Sequence, residues 1–235
     1  MNSLETTDRR AITISAREQP IRPWILLDYD VQQFPFAAIL KRDVYKVRHL
    51  DRLHEYLAAN RRKQGKAETL NSKDNLLTRQ AMQNLPVDAP LRQLYHYFMQ
   101  CVLFKWVGRS LSYSSNPKMR IHFSGTASVS SFHHDIVVTK RIDQVNFWLP
   151  FVDVDGTATL WLESDYGKSD FAPIPVKYGQ VLIFDGGYLG HGAVFNNSGT
   201  TRISLDMRFS YRGAISRAEG VRLMNHLISI CLPSQ

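Results

Sequence analysis

The feature that most constrains the fold is a change of pattern near residue 117. From there on, the segments 119–124, 143–151, 157–163, 174–177, 180–185, 191–196 and 202–209 are short and rich in β-branched and aromatic residues. Gly, Asn, Asp and Pro separate them, with no helical period between. Short strands at regular spacing bury their apolar faces by pairing in an antiparallel sandwich or barrel. The last segment alternates most clearly. Ile203, Leu205, Met207 and Phe209 fall on one face, and Arg202, Ser204, Asp206 and Arg208 on the other. A strand with four polar residues on one face lines either solvent or a polar cavity.

The 235 residues suffice for one sizeable domain, and the expectation is a single domain over 1–235. It divides into a helical support region at about 40–110, the β-core at about 117–212 and a C-terminal helix at about 213–235. Segment 23–30 reads as an entry strand, and Ala11 to Ile14 can pair as another. Asp43 is placed to cap a helix running to Arg62, with Val47, Leu50, Leu53 and Leu57 as its buried stripe. Ser72 is placed to start a second helix reaching Leu85, with Leu76, Leu77, Ala81 and Met82 as apolar positions and Pro86 as its stop. Asp88 is placed to cap a third, on which Leu91, Leu94, Tyr95, Phe98, Val102 and Trp106 recur at helical spacing.

Composition narrows the class of partner. The hydrophobic fraction of 44% is that of a globular chain, and the net charge of +8 favours an anionic small molecule, an acidic carrier protein or nucleic acid. The basic residues are scattered apart from Arg61, Arg62, Lys63 and Lys66, a solvated helix end. No finger or RRM motif is present, which disfavours nucleic acid. Cys101 and Cys231 form no CxxC spacing. The polar N-terminus lacks a signal-like apolar region, and no apolar run approaches the ~20 residues of a spanning helix. A soluble, cytoplasmic protein is expected.

The chemistry sits in the β-region. His133 and Asp135 form a His-x-Asp pair at what reads as a strand end, so both side chains reach the same face. Phe184 to Gly192 places His191 just after a Gly-rich turn, and Arg202 follows eleven residues later. His133, Asp135 and His191 make a two-His-one-carboxylate triad, a set that leaves one face of an octahedral metal open and suits non-haem Fe(II). The open positions admit a bidentate 2-oxo acid together with O2. An arginine deep in the barrel then pairs with the far carboxylate of that acid.

These motifs resemble the 2-oxoglutarate/Fe(II)-dependent oxygenases. The pattern is most similar to the phytanoyl-CoA-hydroxylase-like superfamily and, within it, to a branch of antibiotic-biosynthesis hydroxylases. The residues that carry it are Phe132 to Asp135, Asn146 to Phe151, Leu160 to Ser164, Tyr178 to Asp185, and His191-Gly192 through Arg202 to Arg208, over about residues 119–212. The resemblance implies a mainly β chain with N-terminal helices, built on a double-stranded β-helix of the jelly-roll or cupin type. It implies Fe(II) on His133, Asp135 and His191, and 2-oxoglutarate on Arg202, with Asn146 at a strand position that often helps hold this co-substrate. Arg208 departs from the simplest pattern as a second inward arginine, available to substrate, to Asp206 or to another carboxylate. The reaction implied is oxidation of an unactivated C–H of a small metabolite by O2, with succinate and CO2 released. Related halogenases carry Gly or Ala in place of Asp135, so a carboxylate there argues for hydroxylation, or for desaturation, cyclisation or epimerisation.

Each assignment has a plainer alternative. Arg202 can be one half of a salt bridge, and Asn146 a structural hydrogen bond. Arg120 and His122 share a strand face and reach either substrate or structural partners, while Trp161 and Glu163 share another and line either the pocket or the core. His134 points away by alternation and is structural, and Asp185 is a turn residue. Two further classes compete with the enzyme. A non-catalytic metal- or sugar-binding β-barrel predicts metal binding without succinate, and a nucleic-acid-binding protein predicts salt-sensitive binding indifferent to His133→Ala.

Overall fold

The computed structural model describes residues 23–104, 111–141 and 144–211. The expected strand at 11–14, the C-terminal helix, Trp106 and Cys231 lie outside these residues. The chain is a mixed α and β structure with two antiparallel sheets. Helices α1 (Phe36–Ile39), α2 (Leu53–Lys63), α3 (Ser72–Gln83) and α4 (Pro90–Phe98) follow strand β1 (Trp24–Asp28), with π-helical turns at Leu40–Tyr45 and Met99–Leu103. Then come β2 (Leu111–Tyr113), β3 (Lys118–His122), the short helix α5 (Asp135–Thr139), β4 (Gln144–Pro150), β5 (Trp161–Leu162), β6 (Ala172–Pro173), β7 (Gln180–Phe184), β8 (His191–Gly192) and β9 (Arg202–Tyr211).

The larger sheet runs β1-β7-β4-β9-β2, with β3 also on β9, and the smaller runs β6-β5-β8. β9 is the spine. Its register sets Arg202 opposite His122 and Ser204 opposite Arg120 on β3, and Asp206 opposite Trp148 and Arg208 opposite Asn146 on β4. Asn146 in turn stands opposite Phe184 on β7. Directly opposed residues share a sheet face, so one polar face spans four strands. The other face, with Phe147, Ile183, Ile203, Leu205 and Phe209, is fully buried. Phe98 at the end of α4 locks this face to the helices. Its ring lies 4.9 Å from Phe34, 5.1 Å from Tyr29 and 5.8 Å from Phe147, mostly edge to face. Truncating such a ring costs about 3–5 kcal/mol.

Several expected elements are corrected. The helix expected from Asp43 to Arg62 is broken: Lys46 takes a left-handed conformation with φ of 55°, and regular helix resumes at Leu53. Asp43 does not cap it, because Arg42 holds its carboxylate. Asp88 is not the cap of α4 either; Ala89 occupies that position and Pro90 supplies the first helical residue, where a missing N–H does no harm. On α3, Leu76 and Leu77 face solvent while Asp74, Asn75 and Met82 are buried. The reason is polar. Asn75 donates to Thr126 Oγ1 at 2.9 Å and accepts from the Phe123 N–H at 2.8 Å, so α3 turns its amide toward β3. In the β-region, segment 157–163 forms regular strand only at Trp161–Leu162, while the Ala158 and Thr159 carbonyls accept from Arg202. The strand expected at 174–177 is displaced to Ala172–Pro173, leaving Val176 in a single bridge to Val154. The strand expected at 191–196 ends at Gly192, though Asn196 bridges Thr126.

Candidate metal and oxyanion site

The His-x-Asp motif is not a strand. His133 forms a single bridge with His191, its N–H donating to the His191 carbonyl at 2.9 Å and its carbonyl accepting from the His191 N–H at 3.0 Å. Asp135 instead opens α5. The first N–H groups of that helix find partners in the Gly186–Gly187 turn, Asp135 to Gly186 at 2.8 Å and Ile136 to Gly187 at 3.3 Å. Strand alternation therefore does not bring His133 and Asp135 together; a bridge and a helix start do. Two glycines permit the close approach. A Cβ at Gly192 would lie 2.8 Å from the Phe132 Cα, and one at Gly186 would collide with the Asn146 amide.

His133, Asp135 and His191 each bring one ligand atom within 4.8 Å of the others. The tautomers follow from their neighbours. His133 Nδ1 lies 2.7 Å from the Ser131 carbonyl and His191 Nδ1 lies 3.0 Å from the Leu189 carbonyl. A carbonyl only accepts, so both Nδ1 atoms carry hydrogen and both Nε2 atoms turn toward Asp135, at 3.4 and 3.8 Å. Two imidazole lone pairs and a buried carboxylate converge on one point. That arrangement needs a cation between them, a proton or a divalent metal, and the N2O donor set fits the latter.

Asp135 is 1% exposed and heavily bound. Arg208 grips it bidentately, Nε to Oδ2 at 2.6 Å and Nη2 to Oδ1 at 2.5 Å, and the Asn146 amide donates to Oδ2 at 2.6 Å. Burial opposes its ionisation, but His133 when doubly protonated, the hydrogen bonds from Arg208, the nearby His191 and the Asn146 amide outweigh it and hold the carboxyl well below the usual range. Asn146, expected near the co-substrate, thus has the metal-site carboxylate as its partner.

Arg202 is different. It is 6% exposed, and its Nη1 donates only to the carbonyls of Ala158 at 3.2 Å and Thr159 at 3.0 Å. Burial lowers its pKa to about 10, so it stays charged at neutral pH. Among the described residues no carboxylate pairs with it. The guanidinium lies 5.9 Å from the Trp148 ring. Arg120, His122, His133, Asn146, His191, Arg202 and Arg208 line one small cavity of about 40 Å³, between the polar face of the larger sheet and β8 of the smaller. His122, Asn146 and Arg202 each keep one buried polar atom there without a hydrogen-bond partner. Leaving such atoms unpaired costs roughly 1–3 kcal/mol each, so water or a polar ligand in the cavity would satisfy them.

Other residues fall elsewhere. Trp161 and Glu163 do not line the cavity: Trp161 donates to the Gly156 carbonyl, and Glu163 accepts backbone N–H groups from Gly167, Ser169 and Gly190. His134 stands 3.7 Å from Glu163, away from the triad. Asp185 turns the chain, its carbonyl accepting from Tyr188 and Leu189. Trp148 and Phe184 were not singled out from the sequence. Trp148 was findable, since it lies two residues beyond Asn146 and shares its face.

No family model matches the chain. Over 92 residues it is 34% identical to the streptomycin biosynthesis protein StrG of Streptomyces griseus, a stretch amounting to 39% of this chain and 43% of that one. The match therefore spans less than half the length of this curated relative. The fold superposes on a non-haem monooxygenase, ThoJ in complex with nickel, with a TM-score of 0.51 at 11% identity over 81% of this chain and 74% of that one. A looser likeness, TM-score 0.47 at 14% identity, covers 83% of this chain and 77% of CytC3 with Fe(II) and alpha-ketoglutarate. The chain thus resembles a non-haem monooxygenase in fold, and a streptomycin-biosynthesis protein in sequence over part of its length.

Proposed function

We propose that the chain is a non-haem Fe(II)- and 2-oxoglutarate-dependent oxygenase that oxidises an unactivated C–H of a small metabolite, most simply by hydroxylation, in a biosynthetic pathway. The two sheets are read as the halves of a double-stranded β-helix. The observation that carries the proposal is one site: a convergent two-His-one-carboxylate set whose two imidazoles line the same cavity as a buried arginine that has no carboxylate partner among the described residues. Among the described residues no helix is long and apolar enough to cross a membrane.

His133, Asp135 and His191 would hold the metal, which when bound supplies O2 activation coupled to decarboxylation of the 2-oxo acid. Arg202 receives the distal carboxylate of that acid, and its burial makes the pairing strong because little water competes. Trp148 limits the motion of the guanidinium. The hydrogen-bonded Nδ1 atoms hold both imidazoles with Nε2 inward, and Asn146 fixes the plane of the Asp135 carboxylate. The apolar Phe184 and Leu160 in the cavity wall help exclude water from the reacting carbon.

Anaerobic titration with Fe(II) and 2-oxoglutarate tests this reading. The expected result is a metal-to-ligand charge-transfer absorbance, followed in air by succinate release. Folded, metal-replete protein that shows neither sinks the proposal. Metal binding without succinate, across a metabolite panel, would instead identify a non-catalytic metal-binding barrel.

A further inference from the structure

Glu163 is a buried carboxylate that the cavity does not use. It directly follows β5, whose Leu162 stands opposite His191 on β8. The residue is 1% exposed, and its carboxylate accepts backbone N–H groups: Gly190 at 2.7 Å and Gly167 at 3.3 Å on Oε2, and Ser169 at 2.8 Å on Oε1. Among the described residues no lysine or arginine pairs with it, and His134 stays 3.7 Å away, beyond hydrogen-bond reach. Burial opposes its ionisation, but the N–H groups of Gly190, Ser169 and Gly167, and then His134, outweigh it and keep the carboxyl below its usual range.

One of these N–H groups leads to the triad. The Gly190 N–H and the Leu189 carbonyl belong to one planar peptide unit and point in opposite directions. Glu163 takes the N–H side, and His191 Nδ1 donates to the carbonyl side at 3.0 Å. A continuous chain therefore runs from carboxylate to peptide to imidazole, with His191 Nε2 at its far end facing Asp135. A negative charge on the N–H side of a peptide shifts electron density onto its carbonyl oxygen, so the first hydrogen bond strengthens the second. The Glu163 N–H donates to the Gly190 carbonyl at 3.0 Å, which fixes the following peptide as well. The approach requires glycine: a Cβ at Gly190 would lie 2.7 Å from the Glu163 carboxyl carbon.

We propose that Glu163 is a positioning residue for the metal centre, acting on His191 through the Leu189–Gly190 peptide. It holds the ring with Nε2 inward and makes that nitrogen a stronger donor to a metal, as a carboxylate hydrogen-bonded directly to a ligating histidine does. The effect on a metal rests on the metal reading of the triad; the link from Glu163 to His191 does not.

Glu163→Gln keeps the shape of the side chain and removes its charge. The control is Asp74→Asn, which neutralises another buried carboxylate, the one that caps α3 and pairs with Arg61. Two measurements on the full chain test the proposal: Mn(II) affinity by calorimetry, and the His191 Nδ1–H proton resonance of the metal-free protein at mildly alkaline pH. Glu163→Gln is expected to weaken Mn(II) binding about tenfold and to move the Nδ1–H resonance upfield as its hydrogen bond weakens. Asp74→Asn is expected to change the affinity less than about twofold and to leave the resonance in place. Equal weakening by both variants shows that Glu163 serves only the fold and overturns the proposal, as does a His191 resonance that Glu163→Gln leaves unmoved. Glu163→Asp, which withdraws the carboxylate by one methylene, serves if the amide variant does not fold. If the parent chain binds no metal while Glu163→Gln alone moves the resonance, the link to His191 stands and the metal reading falls.

Discussion

Arg202 and Arg208 stand on the same face of β9, yet one is saturated with carboxylate and the other has none among the described residues. The unpaired one is the more buried: Arg202 is 6% exposed, whereas the Arg208 side chain keeps 26% of its surface. Stability alone would select the reverse, since a buried charge without a partner costs several kcal/mol. Under the proposed reading, the Arg202 end of the strand awaits an anion that none of the described residues supplies, and the Arg208 end is organised around Asp135, shared between an arginine and the proposed metal.

The largest expected effect breaks the Arg208 end. Asp135→Ala removes the one carboxylate of the triad, and divalent metal affinity should fall by more than about 100-fold, read by Mn(II) or Ni(II) titration. Unchanged affinity would place the metal elsewhere.

The next concerns His122, directly across from Arg202. Burial first and the Arg202 charge second lower its pKa to about 4, from an ordinary 6.5. Between those values the unfolded chain holds the extra proton, so stability falls as pH drops through 6.5 toward 4, by up to about 3 kcal/mol. Urea denaturation at stepped pH should show this loss, and His122→Asn should remove it. A flat profile in the parent chain would mean that the Arg202 end is wetter than the geometry indicates.

Arg202→Met should weaken 2-oxoglutarate binding by about 2 kcal/mol, roughly thirtyfold, with metal affinity nearly unchanged. The same substitution should not destabilise the ligand-free chain, because it deletes an uncompensated charge. A clear loss of thermal stability would show that Arg202 serves the fold rather than a ligand.

Arg208→Gln is the subtlest. Arg208 occupies both Asp135 oxygens and repels a second cation, so its removal should raise divalent metal affinity about tenfold. A fall would show that Arg208 orients Asp135 more than it competes for it.

Much of the site was legible in the residues. The β9 alternation placed Arg202, Asp206 and Arg208 on one polar face, and the structure keeps them there. The triad was legible as three residue types in order, but its assembly was not. Strand parity put His133 and Asp135 on a common face, whereas a single backbone bridge and the first turn of α5 do the work. Five-residue helices such as α5 leave no period to read. The partner of Arg208 was open between Asp206 and another carboxylate, and packing chose Asp135. Leu76 and Leu77 misled for a similar reason: helical spacing marks them as core, but Asn75 has long-range partners that turn α3 the other way.

What the sequence by itself determined is local: that the second half is rich in short strands, which face of β9 is polar, and which side chains are competent to bind a metal or a carboxylate. Those properties depend on residue type and on a two-residue period, both of which act over a few positions. Only the tertiary structure decided which competent groups meet. It brought β3, β4, β7, β8 and β9 onto one cavity, gave Asp135 to Arg208 and Asn146, and left Arg202 charged and buried with no carboxylate partner among the described residues. Contacts across tens of residues are settled by packing and by the cost of stranded charge, and neither is written in any single stretch of the chain.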